Sequence, residues 1–298
     1  MRVFKVKKGV SQYIKVSENN FIEATKRKAP FYQTVNGEKK HYALCPACEN
    51  PVILIHLHVD DQFVDENKRS VSMHARHIKK NIPGLADYDQ NAYEQCRYAN
   101  PSSSTSKAQR EEGTASANEL LELVKTYPDL IDTVIRKSIG LKATESLFVK
   151  MVTNFKEEKG HLYRYVTKEN LPYAFAYMAD SQNLFYASFD TTYQSGRELL
   201  ELFNSNSKWC KAYKYGRIDR KQEVKDKKQF VDLTFHFTDF DVLEVDEEKY
   251  QRFQLVITEV LDGDSHEILR KEVVFDDHYF MNAVNRRVNY QSLVRTVY

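Results

Sequence analysis

Two cysteines and two histidines in the first 100 residues have the types and spacing of metal ligands. Cys45 and Cys48 are separated by two residues, which places both thiolates on one side of a tight turn, where they can bind one ion. On a helix, His74 and His77 would face the same side, so that the two pairs would complete a tetrahedral Cys2His2 set. Cys96 is an alternative ligand that can replace one histidine. The sequence therefore predicts a bound zinc ion, Zn2+.

The spacing of these ligands differs from that of a simple zinc finger. The histidines are one residue too close together, and 25 residues separate Cys48 from His74. We therefore expect a larger module, similar to a zinc ribbon or treble clef, whose closed site is structural. The alternative is a buried or redox-active cysteine pair with exposed histidines. A thioredoxin-type pair opens a helix, however, whereas a strand-like run, residues 52–59, follows this one.

The same stretch, about residues 38–80, resembles the amino-terminal zinc region of the CoiA-like competence family, in which a Tyr-x-Cys-Pro-x-Cys knuckle precedes a hydrophobic strand and a His-aromatic-x-His element. The counterparts here are Tyr42, Cys45, Pro46, Cys48, residues 52–57, His74 and His77. Two positions differ: Tyr42 lies one residue further from the first cysteine, and Ala75 occupies the aromatic position. The resemblance implies that a nuclease-like domain follows. The Glu-x-Gln-type strand of that domain is missing, because Glu259 has neither Gln nor Lys two positions later.

The stretch around the histidines also has the residue types of a metal-dependent nuclease. His56, His58 and Asn67, together with His77, are similar to the set of a ββα-metal nuclease, in which a histidine activates water and a divalent ion stabilises charge on the phosphate. His56 and His58 alternate along the predicted strand and would share one face. The other interpretation is that this face is the half-solvated side of an edge strand.

The chain changes character near residue 100. Residues 1–100 carry 16 Lys and Arg against 11 Asp and Glu, a net charge of +5, whereas residues 101–298 carry 28 against 31, a net charge of −3. Residues 101–116 are rich in Ser and Thr, which is typical of a linker. We therefore predict a basic zinc-binding domain over residues 1–100, a linker over 101–116 and a second domain over 117–298.

Periodicity predicts helices followed by strands in the second domain. Residues 116–119 match a capping box, and Thr144 precedes apolar residues spaced along one helical face. From Trp209 onward the alternation predicts strands, with a hairpin turn at Asp262-Gly263 and a terminal helix over 279–297. The predicted fold class is α+β, with a small β-rich zinc-ribbon or treble-clef-like domain and a helical segment leading into an antiparallel sheet.

Residues 208–228 combine basic side chains with aromatic rings, with nine basic residues against three acidic ones. The residues that we expect to bind nucleic acid, here and beside the zinc module, are Lys79, Lys80, Trp209, Lys211, Tyr213, Lys214 and Arg217. Cations would contact phosphates, and rings would stack on bases. The opposing interpretation is that the acidic residues of 239–248 neutralise these basic side chains on neighbouring strands. The aromatic rings would then belong to the core.

These features predict a zinc-containing cytoplasmic protein that binds nucleic acid or a nucleic-acid complex. No run reaches the ~18–20 apolar residues of a membrane span, and the start lacks the apolar region of a secretory signal. The alternatives are a metal-dependent nuclease and a non-catalytic protein-interaction factor in which the zinc is structural. Nucleotide-loop, zinc-peptidase and deaminase motifs are absent from the sequence.

Overall fold

The computed structural model describes residues 1–57, 73–94, 96, 98–99, 108–245, 248–276 and 278–297. The chain forms two compact units. Unit 1 comprises Met1–Ser102, Val242–Tyr250 and Asn285–Tyr298, and unit 2 comprises Ser103–Asp241 and Gln251–Val284. Helices and antiparallel sheets are both present, which confirms the predicted α+β class.

The first 100 residues form a small antiparallel sheet with short helices beside it. The elements are β1 (Val3–Phe4), β2 (Ile14–Lys15), α1 (Glu18–Thr25), β3 (Tyr32–Val35), β4 (Glu38–Leu44), β5 (Pro51–Ile55), β6 (His74–His77) and α2 (Gln90–Glu94). β1 pairs with β2, and β3 to β6 form a four-stranded sheet in sequence order. The backbone of Met1 hydrogen-bonds with Ala75 of β6, and that of Lys5 with Leu44 of β4. The N-terminal segment, residues 1–5, therefore connects β4 and β6, the two strands that flank β5.

One face of this sheet carries the core of unit 1. Ala43, Val52, Leu54 and Ala75 alternate along neighbouring strands and are buried in one apolar cluster. Cys45 and Cys96 belong to the same buried cluster. Two candidate metal ligands therefore lie at the core of unit 1 and not on its surface.

The remaining elements form a helical segment and then a long antiparallel sheet. In chain order they are α3 (Ala115–Thr126), α4 (Pro128–Val134), β7 (Leu141–Ala143), α5 (Glu145–Glu157), α6 (Leu171–Tyr177), β8 (Gln182–Asn183), β9 (Ala187–Phe189), α7 (Gln194–Asn206), β10 (Cys210–Ala212), β11 (Ile218–Arg220), α8 (Gln222–Asp226), β12 (Asp232–Val245), β13 (Glu248–Leu261), β14 (Asp264–Val274) and α9 (Tyr279–Arg295). The four-stranded sheet has the order β14-β13-β12-β8, while β7 pairs with β9 and β10 with β11. No helix among the described residues is long and apolar enough to cross a bilayer.

A helix cap and a hairpin turn in unit 2 lie where the sequence predicts them. The hydroxyl of Thr144 accepts a hydrogen bond from the Leu147 amide and caps α5, whose apolar face is buried. Asp262 and Gly263 form the turn between β13 and β14, both with positive φ, as a two-residue hairpin requires. Aromatic side chains then fill the space between helix and sheet, with the Tyr173 and Phe275 rings stacked at 4.2 Å.

The segment predicted as a linker is partly structured. Its residues 108–116 belong to unit 2, where the Arg110 amide donates to the Leu162 carbonyl and the Arg110 guanidinium donates to that of Val166 at 2.8 Å. α3 begins at Ala115 with Thr114 at its N-cap, so Ser116 lies inside the helix and is not the cap. Residues 101–107 lie outside the described residues.

Candidate metal centre

Four side chains from three separate parts of unit 1 converge. The ligand atoms of Cys45, Cys48, His77 and Cys96 all lie within 4.8 Å of one another. The two Sγ atoms of Cys45 and Cys96 are 3.6 Å apart, and Nε2 of His77 lies 3.3 Å from Sγ of Cys48 and 3.6 Å from Sγ of Cys96. A tetrahedral ion with bonds of about 2.0–2.3 Å spaces its ligand atoms by roughly 3.3–3.8 Å. This Cys3His group can therefore hold one metal ion.

Strands β4, β5 and β6 position three of these ligands. Cys45 and Cys48 lie in the loop between β4 and β5, where the Cys45 amide donates to the Asn50 carbonyl at 2.9 Å. β5 then pairs with β6 so that Val52 lies opposite His77, which brings the imidazole next to the loop. Cys45 and Cys48 could be predicted as a ligand pair from local sequence alone, because the turn itself sets the direction of both thiols.

Asn50 connects this loop to the segment that carries the fourth ligand. Its buried amide donates to the Asp89 carbonyl at 2.9 Å and accepts from the Asp89 N–H at 2.7 Å, and its nitrogen lies 3.5 Å from Sγ of Cys48. The Asp89 carboxylate accepts from the Ala92 amide in α2, a helix that ends two residues before Cys96. The sequence analysis missed Asn50, because a single asparagine before a strand has the pattern of an ordinary turn residue.

His74 is not a member of this group. Residues 74–77 form strand β6, and not the helix that the sequence analysis assumed. Along a strand, three residues reverse the direction of the side chain and span about 10 Å, so the two histidines cannot bind one ion. His74 lies opposite Ile55 at the other end of the strand, with its ring 6.4 Å from that of His56. Cys96 completes the group instead.

The pKa values of two neighbouring thiols shift in opposite directions. Burial raises the pKa of the Cys45 thiol well above its usual range, whereas the hydrogen bond with Cys45 lowers the pKa of Cys48. The group therefore favours ionisation of Cys48 over that of Cys45. A bound divalent cation would supply the positive charge that allows the other thiols to ionise as well.

An ion pair between a buried lysine and a partly exposed glutamate fixes the cysteine loop to the N-terminal segment. Nζ of Lys5, a side chain only 4% exposed, lies 2.6 Å from Oε1 of Glu49 between the two strands, and the same oxygen accepts from the Gly9 amide. The hydrogen bond from Lys5 lowers the pKa of Glu49. Lys5 is therefore committed to this contact and does not contribute to a basic surface.

Only two of the nuclease candidates, His56 and His77, lie among the described residues. His56 is exposed directly after β5, with a left-handed φ of 57°, and His58 and Asn67 lie outside the described residues. Apart from the Cys3His group, no set of three or more metal-binding His, Cys, Asp or Glu side chains comes together in the described part of the chain.

Glu259, the acidic residue at the end of the strand considered above, is buried and anchors a loop. Its carboxylate accepts hydrogen bonds from the Lys208 amide at 2.6 Å, the Trp209 amide at 3.3 Å and the Ser207 hydroxyl at 2.8 Å. It is fully buried within unit 2. These contacts hold the start of the β10–β11 hairpin, so Glu259 has a structural role here.

We expect Glu259→Gln to destabilise the full chain by about 1–3 kcal/mol, because the amide leaves one buried donor without its acceptor. Urea-induced unfolding measures this loss. The matched control is Glu267→Gln, which removes a half-exposed partner of Arg270 and should cost clearly less, because exposed ion pairs contribute little to stability. Equal effects of the two substitutions would contradict the anchoring role.

The β10–β11 hairpin, taken here as residues 208–220, carries most of the predicted nucleic-acid-binding residues. Its turn is closed by hydrogen bonds from the Gly216 amide to the Tyr213 carbonyl at 2.7 Å and from the Tyr213 amide to the Arg217 carbonyl at 2.8 Å. Tyr213 is 43% exposed and Tyr215 is 83% exposed, so neither ring is core. Nζ of Lys211 lies 5.0 Å from the centroid of the Tyr213 ring. The hairpin thus presents cations and aromatic rings together.

Among the described residues, the strands that carry the acidic segment of 239–248 do not pair with this hairpin. β10 and β11 form a sheet of their own, and Asp239 of β12 lies near Arg270 of β14. Asp219 pairs with Lys225 at 2.5 Å. Four basic residues of the hairpin form no ion pair with any residue that the structure describes: Lys208, Lys211, Lys214 and Arg217. Their charge is therefore available to a ligand.

The two predicted basic residues of unit 1 are exposed after β6. Nζ of Lys79 lies 4.8 Å from the centroid of the Tyr93 ring, which packs edge-on against the His77 imidazole at 5.4 Å. Lys79 therefore lies beside the metal-binding group, with Lys80 next in the chain.

Within the described residues, the Cys3His group and the basic aromatic hairpin are the features best suited to bind a ligand. No protein-family model, curated protein or solved structure matches the chain. Its function therefore has to be inferred from these two features.

Proposed function

We propose that this protein binds nucleic acid through its β10–β11 hairpin and is stabilised by zinc in unit 1. The observation that carries the proposal is the set of exposed tyrosine rings among basic side chains that have no ion-pair partner within the described residues. Lys208, Lys211, Lys214 and Arg217 can each contact a phosphate and release condensed counterions, which is the main source of affinity for nucleic acids.

Zinc suits the Cys3His group better than the other common divalent ions. Three thiolates and one imidazole in a tetrahedral arrangement are typical of structural zinc sites, whereas calcium and magnesium prefer oxygen ligands. Four protein ligands leave no position for a reacting water, so the ion would stabilise unit 1 and not catalyse a reaction. A reducing compartment such as the cytoplasm would keep the thiols available to the ion.

Charge reversal in the hairpin tests the nucleic-acid proposal. We expect Lys214→Glu combined with Arg217→Glu to weaken binding of a labelled oligonucleotide at least about tenfold, because two phosphate contacts become repulsive. The negative slope of log affinity against log salt, measured by fluorescence anisotropy between about 50 and 200 mM salt, should become shallower by roughly 2.

The matched control is Lys227→Glu combined with Lys228→Glu, which makes the same change in net charge at exposed residues after α8. This control should retain most of the affinity and the original salt slope. Equal losses in both double variants would show that only net charge matters and would contradict the assignment to the hairpin. Failure of the unmodified protein to bind DNA or RNA at low salt would overturn the function, and co-purification of a protein partner would then favour the interaction-factor alternative.

A further inference from the structure

We infer that the hairpin selects single-stranded nucleic acid and that Tyr215 is the platform on which a base stacks; this inference rests on the proposed function. Tyr215 lies in the turn of the hairpin and is 83% exposed. Within the described residues its ring has no aromatic or cationic partner, whereas Lys211 lies over the Tyr213 ring and Lys208 over the Trp209 ring. Tyr215 is therefore the ring of this hairpin with the most surface open to a base.

The backbone around Tyr215 is held in place before any ligand binds. The Phe189 amide of β9 donates to the Gly216 carbonyl at 3.0 Å, and Ser188 forms a backbone bridge with Arg217. On the opposite side of the hairpin, the Asn204 side chain accepts from the Ala212 amide at 2.8 Å and donates to its carbonyl at 2.9 Å. A turn that is already ordered loses little conformational entropy when it binds a ligand.

Cations border the open ring and can follow a single phosphate backbone. Lys214 and Arg217 are exposed on either side of Tyr215 and Gly216 in the chain, and Lys211 lies on the adjoining strand. A backbone held by these three side chains would place successive bases beside the tyrosine ring. Basic residues combined with stacking rings are the usual means of binding single strands without reading their sequence.

A duplex cannot use this ring in the same way. Its bases are stacked on one another, so a tyrosine reaches a base face only after the duplex is locally unstacked, which costs energy. Lys214 and Arg217 can contact the phosphates of either form, so the exposed Tyr215 ring is the feature of the turn that distinguishes an unpaired strand. The side chains of the turn therefore favour an unpaired strand.

The test compares single-stranded and duplex oligonucleotides of the same sequence, as DNA and as RNA, with the full chain in an anisotropy titration. We expect tighter binding to the single strands, and a loss of roughly 5- to 150-fold on the single strand for Tyr215→Ala, because one base–aromatic stack is removed. Tyr215→Phe keeps the ring and should retain the affinity. The DNA and RNA arms show whether the 2′-hydroxyl contributes.

Phe230→Ala is the matched control, since Phe230 is 72% exposed in unit 2 but lies outside the hairpin. It should leave single-strand binding unchanged. Equal affinity for the duplex and the single strand, equal losses on both for Tyr215→Ala, or failure of Tyr215→Phe to bind would each overturn the inference. Tight binding to duplex alone would leave the proposed function standing and overturn only the single-strand preference, whereas no binding at all would overturn both.

Discussion

Replacing Cys96 with serine is expected to release the metal from unit 1 and to unfold that unit. Cys96 links the segment after α2 to the loop between β4 and β5, with its Sγ 3.6 Å from that of Cys45 and from Nε2 of His77. Structural zinc contributes roughly 10–16 kcal/mol of binding free energy in small modules, so losing one ligand removes much of the stability of a short sheet. Zinc content should fall from about one ion per chain to well below that value.

Cys210→Ser is the matched control for this experiment. Cys210 is also a buried thiol, but it lies in β10 of unit 2 and outside the Cys3His group. The same chemical change there should leave the zinc content unchanged. Elemental analysis measures the zinc content, and circular dichroism before and after treatment with a chelator measures the loss of folded structure. A Cys96→Ser protein that keeps its full zinc content would contradict the assignment.

Gly216→Ala is expected to produce the second large effect. Gly216 has a φ of +82°, and a Cβ atom there would overlap the carbonyl oxygen of Phe189, which is backbone and cannot move aside. The left-handed backbone costs an alanine about 1–2 kcal/mol, and forced displacement of a packed neighbour adds about 1–3 kcal/mol. We therefore expect a loss of roughly 2–5 kcal/mol in the free energy of unfolding.

Gly263→Ala separates these two causes. Gly263 has a φ of +86°, close to that of Gly216, but an added Cβ there meets no atom within 4 Å. Only the backbone cost of about 1–2 kcal/mol should remain. If urea-induced unfolding gives the same loss for both substitutions, the close approach between the hairpin turn and β9 is not present in solution.

The features that the sequence predicted well are those fixed by neighbouring residues. The cysteine turn, the N-cap at Thr144 and the Asp262-Gly263 turn each depend on a few adjacent residues. The α+β class follows in the same way, because long stretches with a period of 3.6 or 2 are local signals.

Features that depend on distant contacts could not be predicted with the same success. A spacing of three residues fits a helix, so His74 and His77 were expected to bind together, and the pairing of β6 with β5 makes this stretch a strand. Cys96 approaches Cys45 across 51 positions of the chain, and the hydrogen bonds between Asn50 and Asp89 connect the two segments. The anchoring role of Glu259 likewise arises from a loop about 50 residues earlier.

X-ray absorption at the zinc edge of the purified protein identifies the atoms that bind the metal at the Cys3His site of unit 1. We expect a first coordination shell of three sulfur atoms at about 2.3 Å and one nitrogen atom at about 2.0–2.1 Å. His74→Ala should leave this shell unchanged, whereas His77→Ala, like Cys96→Ser, should lower the zinc content. A shell of two sulfur and two nitrogen atoms, a bound water oxygen, or protein without zinc would contradict the site.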